Sequence, residues 1–329
     1  MCDGARSGPL PASGESSFAP LLPPATTLRI LSDGRAGHEA QTLGIAEALG
    51  LTPDIRRVAP RKFYDWIAPF GPPDPQDAPA FAPPYPDIAI AAGRRTIPAL
   101  RRLKRDSGGA TFTVYVNRPA TGPGTADLIV APRHDRLSAP NVISALTPAN
   151  RVTPERLARA RAAPDPRIAA LPRPRAAMLI GSAEGVVYDL DFIASYLLAA
   201  GESVMATPSR RTPPEISRML CGALSAPGGY FWGGEGENPY LSMLANADRI
   251  IVTGDSVNMV GEAVATGAPV HVIEPFVTRR KLRAYLAALE KAGAIRIWSG
   301  PFDDWTYKPI NSTPTIARGV AEAFRRFAA

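Results

Sequence analysis

A chain of 329 residues, 45% of them apolar, is long enough for two domains with ordinary cores. Its two cysteines, Cys2 and Cys221, exclude a disulfide framework and a Cys-based zinc site, and no apolar run reaches the length that spans a bilayer. The net charge of +7 is mostly arginine, with lysine only at 62, 104, 281, 291 and 308. That excess suits phosphate recognition or an anionic membrane surface, although coding bias toward Arg, Ala and Pro would produce it equally well. No basic run interleaved with aromatics is present, which excludes the common nucleic-acid modules.

Residues 1–25, rich in Pro, Ser and Gly, predict a disordered tail. They carry no apolar core behind a basic start, a poor fit to a secretory signal. From Thr26 strands and helices alternate. Thr27–Ser32 reads as a strand, Asp33–Gly37 as a turn and Glu39–Leu49 as a helix with Leu43, Ala46 and Leu49 on one face. A second strand covers 54–58, a Pro-rich loop 69–86, and a buried strand Asp87–Ala91. Thr96–Lys104 is helical, Thr111–Val116 and Leu128–Ala131 are strands, and Pro154–Ala162 is a short helix.

The prolines of 164–174, PDPRIAALPRP, prevent continuous helix or sheet, so 166–174 is the expected linker. A second α/β series follows. Ala176–Ile180 is a strand, Gly181–Gly185 a turn and Leu190–Ala200 a helix. Ser203–Ala206 is a strand, and Thr212-Pro213-Pro214-Glu215 predicts a helix start with Thr212 as N-cap. Gly229–Trp232 is a strand and Asn238-Pro239 opens a short helix. Arg249–Thr253, a helix closed by Gly267, and the apolar run Pro269–Ile273 form a β–turn–α–β unit. Helices at 279–292 and 315–328 end the chain. Alternation of this kind predicts parallel sheets with right-handed crossovers. The expected fold class is α/β, with two Rossmann-like domains facing a cleft. They are 26–165, the acceptor side, and 175–312, the nucleotide side, with 313–329 packing back on the first domain.

Four loops at strand ends carry the candidate chemistry. In Ser32–His38, glycines Gly34 and Gly37 allow close backbone approach, Arg35 can neutralise a phosphate, and Asp33 or His38 can take a proton from a hydroxyl. A plain tight turn with a solvated His38 explains the same residues. Gly181 and Ser182 are a candidate diphosphate cradle, and Glu184 beside them is a further acid/base candidate, although glycine-rich turns are common. Asp189-Leu190-Asp191 has metal-site spacing, but acidic residues at a helix start mostly complement its dipole, so no metal is expected. Ser209, Arg210 and Arg211 form a candidate anion clamp. In the fourth loop, Asp255, Ser256, Asn258 and Met259 are expected at the ribose or phosphate and Glu262 at the ribose diol. Glu237 and Asn238 lie upstream as a base-binding loop.

These residues also carry a resemblance. Ser32-Asp33-Gly34-Arg35-Ala36-Gly37-His38-x-x-Gln41, Ser209-Arg210-Arg211-Thr212-Pro213, Gly236-Glu237-Asn238-Pro239-Tyr240 and the run Thr253–Ala263 with Glu262 resemble the ELM1 family. That family contains a plant mitochondrial fission factor and bacterial members labelled nucleoside-diphosphate-sugar epimerases. It is similar to GT-B glycosyltransferases such as the MurG-type enzyme. The resemblance implies a Gly/His loop at 33–38 and a ribose-binding Glu262. One departure is Ser182, where the family has a second glycine.

The resulting expectation is a metal-independent glycosyltransferase without a cofactor, using a nucleotide-sugar, UDP-linked, as substrate. An epimerase on the same fold and a non-catalytic adaptor at a membrane surface are the alternatives. Expected partners are the nucleotide-sugar and an anionic membrane surface or lipid-linked acceptor, with no nucleic acid. The expected location is cytoplasmic or membrane-peripheral.

Overall fold

The computed structural model describes residues 21–275 and 279–329. Most of the expected tail, residues 1–20, lies outside the described residues. Residues 21 and 22, by contrast, are anchored. The Leu22 side chain is buried, the Leu21 N–H donates to the Leu49 carbonyl at 3.2 Å, and Arg325 donates to the Leu21 carbonyl at 2.5 Å.

The chain forms two compact units. One comprises the described residues up to Arg151 together with Asn311–Ala329; the other is Val152–Ile310. In the first, six parallel strands are β1 (Leu28–Ser32), β2 (Pro53–Arg57), β3 (Ile88–Ala92), β4 (Phe112–Val116), β5 (Leu128–Pro132) and β6 (Val142–Ala145). Their order is β2-β1-β3-β4-β5-β6. β1, β3 and β4 are buried throughout, as near-continuous apolar strands with both faces covered must be. Alternate residues serve opposite faces. Leu28, Ile30, Ile88, Ile90 and Val114 pack with Ile45 and Leu49 of the helix Ala36–Leu49 and with Ile316 and Val320 of the helix Thr313–Ala328. Leu31, Ala89, Ala91 and Tyr115 pack with Ile97, Leu100 and Leu103 of the helix Ile97–Asp106.

The terminal helix is tied in by polar contacts as well as packing. Thr147 and Ser312 exchange backbone-to-hydroxyl bonds at 3.1 and 3.0 Å, and the Thr313 hydroxyl accepts from the Asn150 N–H at 2.9 Å. A Cβ at Gly44 would lie 2.5 Å from the Asn150 carbonyl oxygen, so glycine lets the first helix sit against the backbone at Asn150.

The second unit holds β7 (Arg175–Ile180), β8 (Ser203–Pro208), β9 (Gly229–Phe231), β10 (Arg249–Thr253), β11 (Val270–Ile273) and β12 (Ile295–Ile297). All its pairings are parallel, in the order β12-β11-β10-β7-β8-β9. This is the doubly wound Rossmann order. Its core joins Met178 and Ile180 to Ile193, Leu197, Ile216 and Leu220 of the covering helices.

The unit boundary falls at 151/152, ahead of the 166–174 segment expected as linker. Two contacts account for this. The helix Pro154–Ala162 is fastened to the helix Tyr240–Asn246, with Arg161 donating to the Ala245 carbonyl at 2.8 Å. The 166–174 segment is bound to β7, since the Arg175 guanidinium donates to the Leu171 and Ala169 carbonyls at 2.5 and 3.2 Å.

Candidate functional site

Both sheets have a topological switch point, where neighbouring strands leave in opposite directions and their carboxyl ends open a crevice. In the first unit it lies between β1 and β3, in the second between β7 and β10. Ligands of open α/β sheets bind at such points. The residues following these four strands are Asp33, Gly93, Gly181 and Gly254.

In the first unit, Asp33 and His38 form a dyad. The His38 Nδ1 lies 3.0 Å from each Asp33 carboxylate oxygen. The Asp33 side chain is almost fully buried, whereas His38 keeps 23% of its side-chain surface exposed. Burial pushes the Asp33 carboxyl up. The His38 hydrogen bond and charge, the Arg35 N–H at 3.1 Å and the Arg35 charge pull it down further, and the net result is below the ordinary carboxylate value. Asp33 is therefore ionised at neutral pH and can only accept, which makes Nδ1 the protonated ring nitrogen and leaves Nε2 as the acceptor.

Gly93, directly after β3, lies against this dyad. It has φ 92°, and a Cβ there would meet Asp33 Oδ2 at 2.4 Å and His38 Nδ1 at 2.8 Å. Tyr115 of β4 lies beside Gly93 and Asp33. Burial, then the Asp33 charge, pushes its phenol up to about 12, against the pull of the Gly93 N–H. Neither Gly93 nor Tyr115 was expected from sequence; the available signal for Gly93 was a glycine directly after a buried strand.

The other residues of this loop divide. Gly34 has φ 75°, and a Cβ there would collide with the Arg57 guanidinium, so glycine is required. Gly37 lies in the first turn of the helix, without a left-handed backbone. The Arg35 side chain is 60% exposed, 3.8 Å from Asp33. Ser32 donates to Glu39 and accepts from the Gly34 N–H, bracing the turn.

In the second unit the switch point holds a ready anion site with an internal anion in it. The Asp255 Oδ2 accepts from the Ser182 N–H at 2.8 Å and from its hydroxyl at 3.0 Å, and lies 3.1 Å from Arg211 Nη2. Its Oδ1 is buried with no hydrogen-bond partner. A Cβ at Gly181 would come within 2.4 Å of that oxygen, and the Gly181 N–H donates to Thr253 Oγ1 at 2.7 Å. Asp255 thus turns inward onto the cradle.

Thr212 does not cap the following helix, as had been expected. That helix, Pro214–Ala223, starts after Pro213 with no side-chain cap, and Thr212 Oγ1 instead donates to the Ile180 and Gly181 carbonyls while accepting from the Ser209 N–H at 2.8 Å. The hydroxyl is more useful tying the 209–212 loop to the end of β7, because Pro214 already supplies a first helical residue that needs no N–H partner. Ser209 Oγ accepts from the Arg211 N–H at 3.1 Å, and Arg210 is exposed on the same loop.

Glu262, on the helix Val257–Ala263, receives the Tyr240 hydroxyl on Oε2 at 2.7 Å. Two sequence motifs, 236–240 and 253–263, meet through this bond. Some surface of Glu262 remains accessible, yet burial pushes its carboxyl up to about 7, with the Tyr240 bond pulling down. Burial and the Glu262 charge push Tyr240 well above its ordinary range. Tyr240 was not among the expected site residues, although it belongs to the same short motif as Asn238. Asn238 itself is exposed, its Oδ1 accepting from the Tyr240 N–H at 2.9 Å, and the exposed Glu237 uses its carbonyl to receive Arg167. Ser256 is buried at the helix start without a capping bond, and Asn258 and Met259 follow it half-buried. Glu184 is exposed on its turn, with no acid/base partner among the described residues. Asp189 lies in the first turn of the helix Val187–Ala199, with Asp191 further along, and among the described residues no three His, Cys, Asp or Glu side chains gather as a metal site requires.

Comparison with known proteins agrees with this architecture. The structure of UDP-GlcNAc 2-epimerase from Methanocaldococcus jannaschii is similar, with a TM-score of 0.56 at 12% identity, over 90% of this chain and 100% of that one. The S. aureus MnaA–UDP co-structure is similar with a TM-score of 0.50 at 11% identity, over 92% of this chain and 89% of that one. The fold is of the GT-B type. The mitochondrial fission protein ELM1 of Arabidopsis thaliana is 30% identical over 271 residues, covering 71% of this chain and 63% of the plant protein. The chain thus spans less than two thirds of that relative's length. The family model for mitochondrial fission ELM1 matches residues 36–324, which include the His38 end of the first loop and all the loops of the second unit, and on that match the chain belongs to the ELM1 family.

Proposed function

We propose that the chain is a metal-independent glycosyltransferase using a nucleotide-sugar, uridine-linked, as donor. The observation that carries this reading is the Asp33–His38 dyad at the first switch point. Its open Nε2 is suited to take the proton from an acceptor hydroxyl as that oxygen attacks the sugar, and the buried Asp33 carboxylate stabilises the imidazolium that results.

The nucleotide half-site belongs to the second unit. The donor diphosphate replaces the Asp255 carboxylate on the Ser182 N–H and hydroxyl, and Arg211, with Arg210 beside it, stabilises the charge that builds on the leaving group. Ser256, Asn258 and Met259 line the approach at the amino end of their helix. Glu262 exchanges the Tyr240 hydroxyl for the ribose diol, and Glu237 and Asn238 flank the base. The fold shared with UDP-binding structures supports the uridine assignment only at the level of architecture. No described helix is long and apolar enough to cross a membrane, and a cytoplasmic or membrane-peripheral location belongs to the reading.

The test is incubation with UDP-N-acetylglucosamine in the presence of candidate hydroxyl acceptors, followed by proton NMR of the sugar. Release of UDP that is lost in Asp33→Asn and His38→Ala is expected. Inversion at a sugar carbon without any acceptor would assign the chain to the epimerases instead. UDP release unaffected by both substitutions would remove the dyad from the reaction.

A further inference from the structure

The helix Lys62–Ile67 buries none of its residues, although Phe63, Tyr64, Trp66 and Ile67 make up most of it. Phe63 is 63% exposed, Trp66 80% and the nearby Phe70 74%. Large aromatic side chains this bare have no role in the core of their own unit, and three within eight residues are a concentration of the kind that marks an interaction surface.

The backbone beneath them is held firmly by cations. Arg94 donates to Asp65 Oδ1 at 2.6 Å and to the Ala68 carbonyl at 2.9 Å, and Arg95 donates to Asp65 Oδ2 at 2.5 Å. Arg61 binds Asp74 at 2.7 Å, and Arg101 reaches the Pro69 carbonyl at 3.4 Å. With Lys62, exposed on the helix itself, five cations meet two carboxylates in this set of contacts, so the segment carries an excess of positive charge.

We infer that the segment Arg61–Gly71 docks on an anionic phospholipid bilayer. Trp66, Phe63 and Phe70 enter the headgroup region, and Lys62 and the surrounding arginines face lipid phosphates. The chemistry fits on two counts. Trp and other amphipathic aromatics favour the membrane–water interface, and a cationic segment is drawn to an anionic leaflet. The three aromatics each stand clear of their own unit, as suits entry into a lipid interface. This inference does not depend on nucleotide binding or catalysis.

The test is co-sedimentation of the full chain with vesicles of phosphatidylcholine alone and of phosphatidylcholine with phosphatidylglycerol, at low and high salt. The wild type is expected to sediment with the anionic vesicles, to be released by salt, and to remain in solution with neutral ones. Replacing all three aromatics by serine (Phe63→Ser, Trp66→Ser, Phe70→Ser) is expected to weaken binding by about tenfold or more. Lys62→Glu should weaken it by a smaller factor. Because all four positions are exposed, thermal unfolding of the variants should match the wild type, which separates lost docking from lost folding. Failure of the wild type to bind anionic vesicles at low salt, or undiminished binding by the triple-serine variant, overturns the proposal. A wild-type dimer that the triple variant abolishes, with neither protein binding vesicles, overturns it in favour of a second copy of this chain as the occupant.

Discussion

Replacing Glu262 by glutamine separates a carboxylate that serves binding from one that serves the fold. Burial raises the Glu262 carboxyl from 4.5 to about 7, so between those values the native state holds the proton more tightly than the unfolded chain. The contribution of Glu262 to stability is therefore most favourable below pH 4.5 and declines as pH rises through about 7, beyond which its full penalty is in place. At about 1.4 kcal/mol for each pH unit, that interval corresponds to about 3 kcal/mol. Some solvent still reaches the residue, so this is a ceiling, and about 2 kcal/mol is the working figure.

Glutamine keeps the shape and still offers a carbonyl oxygen to the Tyr240 hydroxyl, so Glu262→Gln should stabilise the protein by about 2 kcal/mol at pH 8 and by little at pH 4.5. Urea unfolding at the two pH values, read on the transition of the second unit, measures the difference. An equal effect at both pH values, or destabilisation at pH 8, would refute the argument. The same variant should bind UDP more weakly, since an amide cannot accept both ribose hydroxyls as a carboxylate does.

Three further outcomes follow from particular contacts. Asp33→Asn should lower turnover by about a hundredfold or more. Because the Asp33 carboxyl is depressed in the fold, its contribution is present above 3.8 and disappears as pH falls through the folded value. The variant's deficit of about 1–3 kcal/mol at pH 7 should therefore vanish in strong acid, as denaturation at the two pH extremes would show. Asp255→Asn removes a like charge from the diphosphate seat and frees Arg211, and should tighten UDP by about fivefold in calorimetry; weaker binding would make Asp255 a ligand contact. Ile316→Ala, in the fully buried face of the terminal helix, should cost the first unit about 2–5 kcal/mol in thermal unfolding and leave UDP affinity unchanged.

The parts of the fold that could be read from the chain are those with a periodic apolar signal. β1, β3, β7 and β10 are buried almost throughout and stand out as apolar runs bounded by turns. β6 and β12 carry no such signal, because they are short, partly exposed edge strands, and only one residue in each is buried. The prolines of 69–86 predict a loop, yet the stretch contains the turn Pro75–Asp77 and the helix Ala78–Phe81, whose prolines occupy first-turn positions where a missing N–H costs nothing.

For the site, local chemistry was legible and pairing was not. Asp33 and His38 lie five residues apart, and their contact follows from one turn. Ser182 and Asp255 are 73 residues apart, and they meet because the strand order sets β7 beside β10. The inward carboxylate of Asp255, the Tyr240–Glu262 bond and the Gly93 approach to Asp33 all depend on that kind of adjacency.

Isothermal titration of UDP into the full chain, the Glu262→Gln variant and the Arg211→Ala variant tests the nucleotide half-site most directly. We predict saturable binding by the wild type and affinities about tenfold or more weaker in each variant, as the loss of a charge-assisted contact of about 1.5–3 kcal/mol requires. No binding by the wild type at millimolar nucleotide, or wild-type affinity in both variants, would contradict it.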